Sequence, residues 1–158
     1  MADPTPQPAV TPPSPLKIRA AIGARWFYWI AALSAINSAI ALSGEHLVMV
    51  VGLGATRLLT ELGGQWLGSF AWLTLPLTFA IAAIFALIGL IASRGVNAAY
   101  LVGLVLYGLD TLIFVLVPKE VLWLPVLFHL YVSYRIIEGF RANRAAQSAA
   151  LAAPVVNG

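Results

Sequence analysis

At 158 residues, 61% hydrophobic and only 9% charged, the chain has too little charge to coat a water-soluble surface; ordinary globular domains carry about a quarter Asp, Glu, Lys and Arg. A mean hydropathy of +0.91 points to lipid as the main solvent. The net charge of +3 is too small and too scattered for a nucleic-acid surface, and the absence of cysteine excludes disulfides, thiolate metal sites and thiol redox chemistry.

Residues 1–16 hold Pro4, Pro6, Pro8, Pro12, Pro13 and Pro15 among Thr, Gln and Ser. Such a segment cannot bury a core, which predicts a disordered Pro-rich tail. A membrane domain over residues 17–144 then opens with Lys17, Arg19 and Arg25, followed by an apolar run predicted to span at 26–43. The order of basic and apolar segments is that of a signal peptide. The run is longer than the about 7–15 residues of a signal's apolar region, so an uncleaved anchor is expected. Ala31, Ala35 and Ala39 form a small-residue stripe and Ser34 and Ser38 a second, each allowing close approach of another helix.

Between the first and second spans, Leu47, Val51, Leu58 and Leu62 share one helical face, and Arg57 and Glu61 are spaced to pair on the other. Leu47 to Leu53 is too short to cross a bilayer, which needs about 20 residues. An interfacial or re-entrant helix is expected here. Gly63-Gly64 ends it, and Trp66 and Trp72 read as interfacial aromatics. Glu45, His46 and Glu61 lack a tight ligand spacing, so neither a metal nor another cofactor is expected. Gly64 and Gly68 match a dimerisation spacing, but at a helix entrance.

Three further spans are predicted, at 70–92, 96–117 and 121–137. The second is free of charge throughout. Pro76 lies inside it, and its missing N–H predicts a kink, with Thr74 and Thr78 as partners for the freed carbonyl. Ser93-Arg94-Gly95 reads as a tight turn. Pro125 either kinks the fourth helix or marks its first turn. Residues 145–158 form a flexible C-terminal tail, with the fourth helix running past the bilayer and fraying near Pro154. The fold class is therefore all-α: an integral membrane four-helix bundle with an interfacial or re-entrant helix after the first span.

Lys and Arg favour the cytoplasmic side of a membrane. With four spans, Lys17, Arg19, Arg25, Arg94, Arg135, Arg141 and Arg144 share one side, leaving Arg57 and Lys119 on the other. Both termini are thus expected in the cytoplasm, with the protein in the cell's inner (plasma) membrane.

Each span places a polar side chain at a similar depth. From a rise of about 1.5 Å per residue, Asp110, His129, Asn37 and Thr78 fall roughly 8–13 Å below the outer surface. An acid there costs about 2.5–3.5 kcal/mol to insert unless it is partnered. His129 is the expected partner, with Tyr107 and Thr111 as neighbouring donors. Two roles are open. The four residues form a proton, cation or ligand site, or they are interhelical hydrogen bonds worth about 0.6 kcal/mol each. No zinc-protease, phosphate-loop or serine-hydrolase motif is present, and an enzyme is not expected. The expected function is an accessory, assembly or scaffolding membrane protein; the alternative is a small oligomeric transporter or channel using Asp110 and His129. Expected partners are the lipid bilayer and either further copies of the chain or another membrane protein.

Overall fold

A computed structural model describes residues 13–42, 53–56, 58–59, 68–116 and 123–152. The Pro-rich stretch 1–12, Glu45, His46, Glu61, Gly64, Trp66, most of the predicted interfacial helix and residues 117–122 lie outside the described residues. Among those described, every regular element is helical. The long helices are α1 (Pro15–Leu42), α2 (Thr74–Ser93), α3 (Asn97–Leu116) and α4 (Trp123–Ala152), and a 3-10 helix over Gly68–Leu73 leads into α2. Residues 54–56 and 58–59 are also helical.

Among the described residues two helices, α2 and α3, are long and apolar enough to cross a membrane. Both direct large apolar side chains outward: Leu77, Phe79, Ile84, Leu87 and Leu90 on α2, and Leu101, Val102, Val105, Leu109 and Leu112 on α3. Contiguous apolar surface on this scale marks contact with lipid or with another protein. α1 and α4 do not meet the same test. They carry Lys17, Arg19 and Arg25, and Arg135, Glu138, Arg141 and Arg144.

Several predicted boundaries move. α1 starts at Pro15, not Trp26, so the basic residues ahead of the apolar run are already helical. Proline suits such a start, because the first helical N–H groups have no partner within the helix. Pro76 does not kink the second helix. The 3-10 helix occupies the first part of the predicted span and α2 begins at Thr74, which puts Pro76 in the first turn, where a missing N–H costs little. Thr78 donates instead to the carbonyl of Leu75, at 2.8 Å. Pro125 occupies the same place in α4, whose first residue is Trp123. At the other end α4 stays helical to Ala152, so residues 145–152 are not a flexible tail.

α1 packs on α2 and α4, and α3 packs on the same two helices. The centre of this arrangement is Phe27, which is fully buried. Its ring lies against Gly103 of α3 and its Cβ against Gly89 of α2, two sites where a larger residue would collide with it. α1 crosses α4 at Gly23 and Gly139, whose backbones touch directly. Glycine is needed there for the approach, since any Cβ would meet the opposite main chain.

The α2–α3 turn uses Gly95 at φ +86, a backbone conformation that side chains resist. Amides from α4 hold this turn. Asn143 Nδ2 donates to the Gly95 carbonyl and to Asn97 Oδ1, both at 2.8 Å, and Gln147 Nε2 donates to the Gly95 carbonyl at 2.7 Å. Nearby, the Tyr100 hydroxyl donates to the Ala20 carbonyl at 2.7 Å, tying α3 to α1. These contacts bring the start of α1, the α2–α3 turn and the last third of α4 to one end of the molecule.

Candidate functional site

Away from that turn, Asp110 of α3 meets His129 of α4. His129 Nε2 lies 3.1 Å from Asp110 Oδ2, with the two side chains 0% and 5% exposed. His129 Nδ1 lies 2.8 Å from the carbonyl of Pro125, one turn back on its own helix. A carbonyl only accepts, so Nδ1 carries a proton and donates it there. The other ring nitrogen, Nε2, is the one that faces Asp110 Oδ2.

The carboxylate has two more donors. The peptide N–H of Gly54 donates to Oδ2 and that of Ala55 to Oδ1, each at 2.8 Å. Gly54 and Ala55 are the first residues of a helical turn, whose leading N–H groups have no intrahelical acceptor. Asp110 supplies that acceptor from a distant helix, and a carboxylate at this position also meets the positive end of the turn's dipole. The preceding N–H, of Leu53, donates to Ser34 Oγ of α1 at 3.0 Å. Thr56 Oγ1 closes the turn on the Leu53 carbonyl at 2.8 Å. Three consecutive peptide N–H groups are thus bound by side chains of α1 and α3, with α4 behind the carboxylate.

The segment bound in this way is buried: Leu53 and Thr56 are each 1% exposed. Gly54 permits the approach. A Cβ there would lie 2.9 Å from the Phe114 ring and 3.1 Å from the Asp110 carbonyl oxygen. Residues 53–56 therefore enter between the helices and do not lie flat across them. The residues described from the expected interfacial or re-entrant element are helical at 54–56 and 58–59 and pack against α1 and α3.

Aromatic rings close the remaining sides of His129. Tyr107 stacks on it with ring centroids 4.5 Å apart and planes at 13°, and Phe114 and Phe128 lie at 5.0 Å and 6.3 Å. Tyr107 thus meets the site with its ring face. Thr111, the other expected donor, turns its hydroxyl onto the Tyr107 carbonyl at 2.9 Å.

Of the four predicted site residues, the fold brings together Asp110 and His129. Thr78 is buried but its hydroxyl is committed to Leu75. Asn37 is half-buried on α1, and neither nitrogen of His129 nor oxygen of Asp110 bonds to it. Ser34, Gly54 and Ala55 join the site in their place. Ser34 was legible as a small residue suited to helix contact, not as an acceptor. Gly54 and Ala55 act through their backbone, which leaves little trace in residue type. The one signal was Gly52-Leu53-Gly54 interrupting an apolar run, a pattern that allows close approach.

No protein-family model matches this chain, and neither does a curated protein or a solved structure. The chemical reading rests on geometry. Asp110 and His129 can hold a proton between them, and Asp110 can anchor two peptide N–H groups; the second capacity is in use.

Proposed function

We propose that this chain is a small integral membrane protein whose four long helices all cross the bilayer as a four-helix bundle, and that it serves as an accessory, assembly or scaffolding subunit. The apolar outer faces of α2 and α3 support the membrane setting. In α1 the stretch from Trp26 to Leu42 is free of charge, and in α4 so is that from Trp123 to Tyr134, with Arg135 paired to Glu138 where α4 would leave the hydrocarbon. Lys17, Arg19, Arg94, Arg141 and Arg144 gather at the end with the α2–α3 turn, which favours a cytoplasmic location for that end and for both termini, in a cell's inner (plasma) membrane.

The observation that carries the scaffolding role is that every polar atom of the pair is engaged by the protein. Both Asp110 oxygens and both His129 nitrogens are bonded to protein groups. A transport or ligand site turns at least one such atom toward its cargo, whereas an internal fastening turns each of them toward the protein. The opposing observation is that an intramembrane acid bonded to histidine is also the chemistry of proton relays.

Labelling separates the two. The chain has no cysteine, so single substitutions Ala55→Cys, Trp123→Cys and Ser148→Cys report without background. With an impermeant maleimide outside intact cells, position 123 labels while 148 and 55 stay silent. Labelling at 148 and not 123 reverses the orientation. Labelling at 55 opens the site to water and favours the transporter. Proteoliposomes give the second arm: proton flux that Asp110→Asn abolishes would overturn the scaffolding role.

A further inference from the structure

A cavity of about 540 Å³ lies between α3 and α4 on the outer side of the molecule. Its floor is apolar, from Leu101 and Leu104 of α3 and Ile137 and Phe140 of α4; Arg141 and Arg144 follow along α4, and Ala145 and Ser148 continue the lining beyond them. We propose that this groove binds one anionic phospholipid, with the two arginines on its phosphodiester and an acyl chain along the apolar floor. The inference rests on the membrane reading above.

The depth of each part fits an amphiphile. The bonds from Asn143 to Gly95 and Asn97 set that stretch of α4 level with the α2–α3 turn. Arg144 follows Asn143 directly and so stands at the height where the apolar helices end. Leu104 and Ile137 lie two turns deeper, roughly 10 Å toward the middle of the span. Charge and apolarity are therefore separated along the groove in the direction in which a lipid separates headgroup from chain. The Arg144 guanidinium sits 5.8 Å from the centroid of the Phe140 ring, at the boundary between the two. An arginine fork matches phosphate oxygens in geometry as well as charge.

Charge also distinguishes this groove from its neighbours. No acidic residue lines it. The cavity between α1 and α4 has Arg19 and Arg135 but also Glu138, which is already paired to Arg135. The cavity beside the turn has Lys17 and Arg94 but is lined mainly by alanines, with the amides of Asn143 and Gln147, and lacks large aliphatic side chains. Of these three cavities among the described residues, the α3–α4 groove pairs two arginines free of an acidic neighbour in its lining with an apolar floor.

The test is native mass spectrometry of the full chain released from micelles holding equal phosphatidylcholine and phosphatidylglycerol. An arginine near a membrane surface raises affinity for anionic lipid about five-fold, so two predict a preference of about 25-fold for one retained phosphatidylglycerol. Substituting both arginines, R141Q with R144Q, brings the ratio to about one. Leu104→Trp, which keeps the charges and fills the floor, lowers retention as well. Arg94→Gln, at the same end but outside the groove, leaves the preference unchanged. The proposal fails if Leu104→Trp retains the lipid fully, if Arg94→Gln loses as much as the double variant, or if inorganic phosphate displaces the lipid. Carbonate extraction of the source membranes tests the membrane reading separately: a chain that stays in the pellet yet shows no lipid preference defeats the groove alone.

Discussion

Asp110 and His129 are 5% and 0% exposed, while at the opposite end Asn143 is buried, Asn97 half-buried and Gln147 exposed. Both groups of side chains bind backbone that has lost its regular partners. Asp110 binds the leading N–H groups of residues 54 and 55, and the amides bind the carbonyl of Gly95 in the turn. They differ in what replaces a lost bond. At the turn, water can reach the carbonyl once an amide is removed. At Asp110 and His129, 5% and 0% exposed, a freed group has no solvent beside it to replace the lost bond. The same kind of contact is a fastening in one place and a trim in the other.

Asp110→Ala breaks that comparison hardest. It leaves His129 Nε2 and two peptide N–H groups without partners, and removing one member of a buried charged pair costs about 3–5 kcal/mol. Thermal unfolding in detergent, followed by circular dichroism, checks the size. Limited proteolysis checks the place, with new cleavage expected near residues 53–56. Asp110→Asn keeps one acceptor oxygen and can donate from its amide to His129 Nε2, so it leaves one N–H unmet and costs about 1–3 kcal/mol. Equal losses for the two variants would mean that charge, and not the count of bonds, holds the segment.

The composition made the helical class plain, and the lone acid and histidine in apolar runs singled out their own pairing. Helix α3 was found within a residue at each end because Gly95 and the loop around Pro118 punctuate it. What stayed hidden has a common cause. Pro76 was misread because a 3-10 helix and an α-helix have similar apolar patterns, so the true start at Thr74 was masked. Asn37 and Thr78 were placed by depth alone, and depth does not give rotation: Thr78 turns to its own helix. The donors to Asp110 are peptide groups, for which a sequence has no letter.

Packing offers a middle case. Gly103→Ala puts a methyl group into the Phe27 ring, and overpacking of a well-filled interior costs about 1–3 kcal/mol. Combining it with Phe27→Leu should recover part of the loss, measured as a coupling in a double-mutant cycle. No recovery would mean that Gly103 matters for its backbone. Below this stands Asn143→Ala at the turn. It removes two bonds at a site that water can partly repair, so about 0.5–1.5 kcal/mol is expected from the same unfolding measurement. A loss as large as that of Asp110→Ala would erase the contrast between the two ends.

The smallest effect asks what exposure means in this molecule. Arg135 and Glu138 pair beside the cavity between α1 and α4, with side chains 32% and 42% exposed. In water such a pair is worth about 0–1 kcal/mol, because solvent screens both charges and replaces either partner. Glu138→Gln should then barely move the unfolding temperature. If that surface faces hydrocarbon, the substitution strands a guanidinium whose Nε already lacks a partner. The cost then rises toward the about 3–5 kcal/mol of an unpaired buried charge. Measuring Glu138→Gln in thin and thick bilayers separates these settings. A small loss in both places Arg135 at the headgroups, whereas a loss that grows with thickness moves the edge of the hydrocarbon past Arg135 and lengthens the part of α4 that crosses.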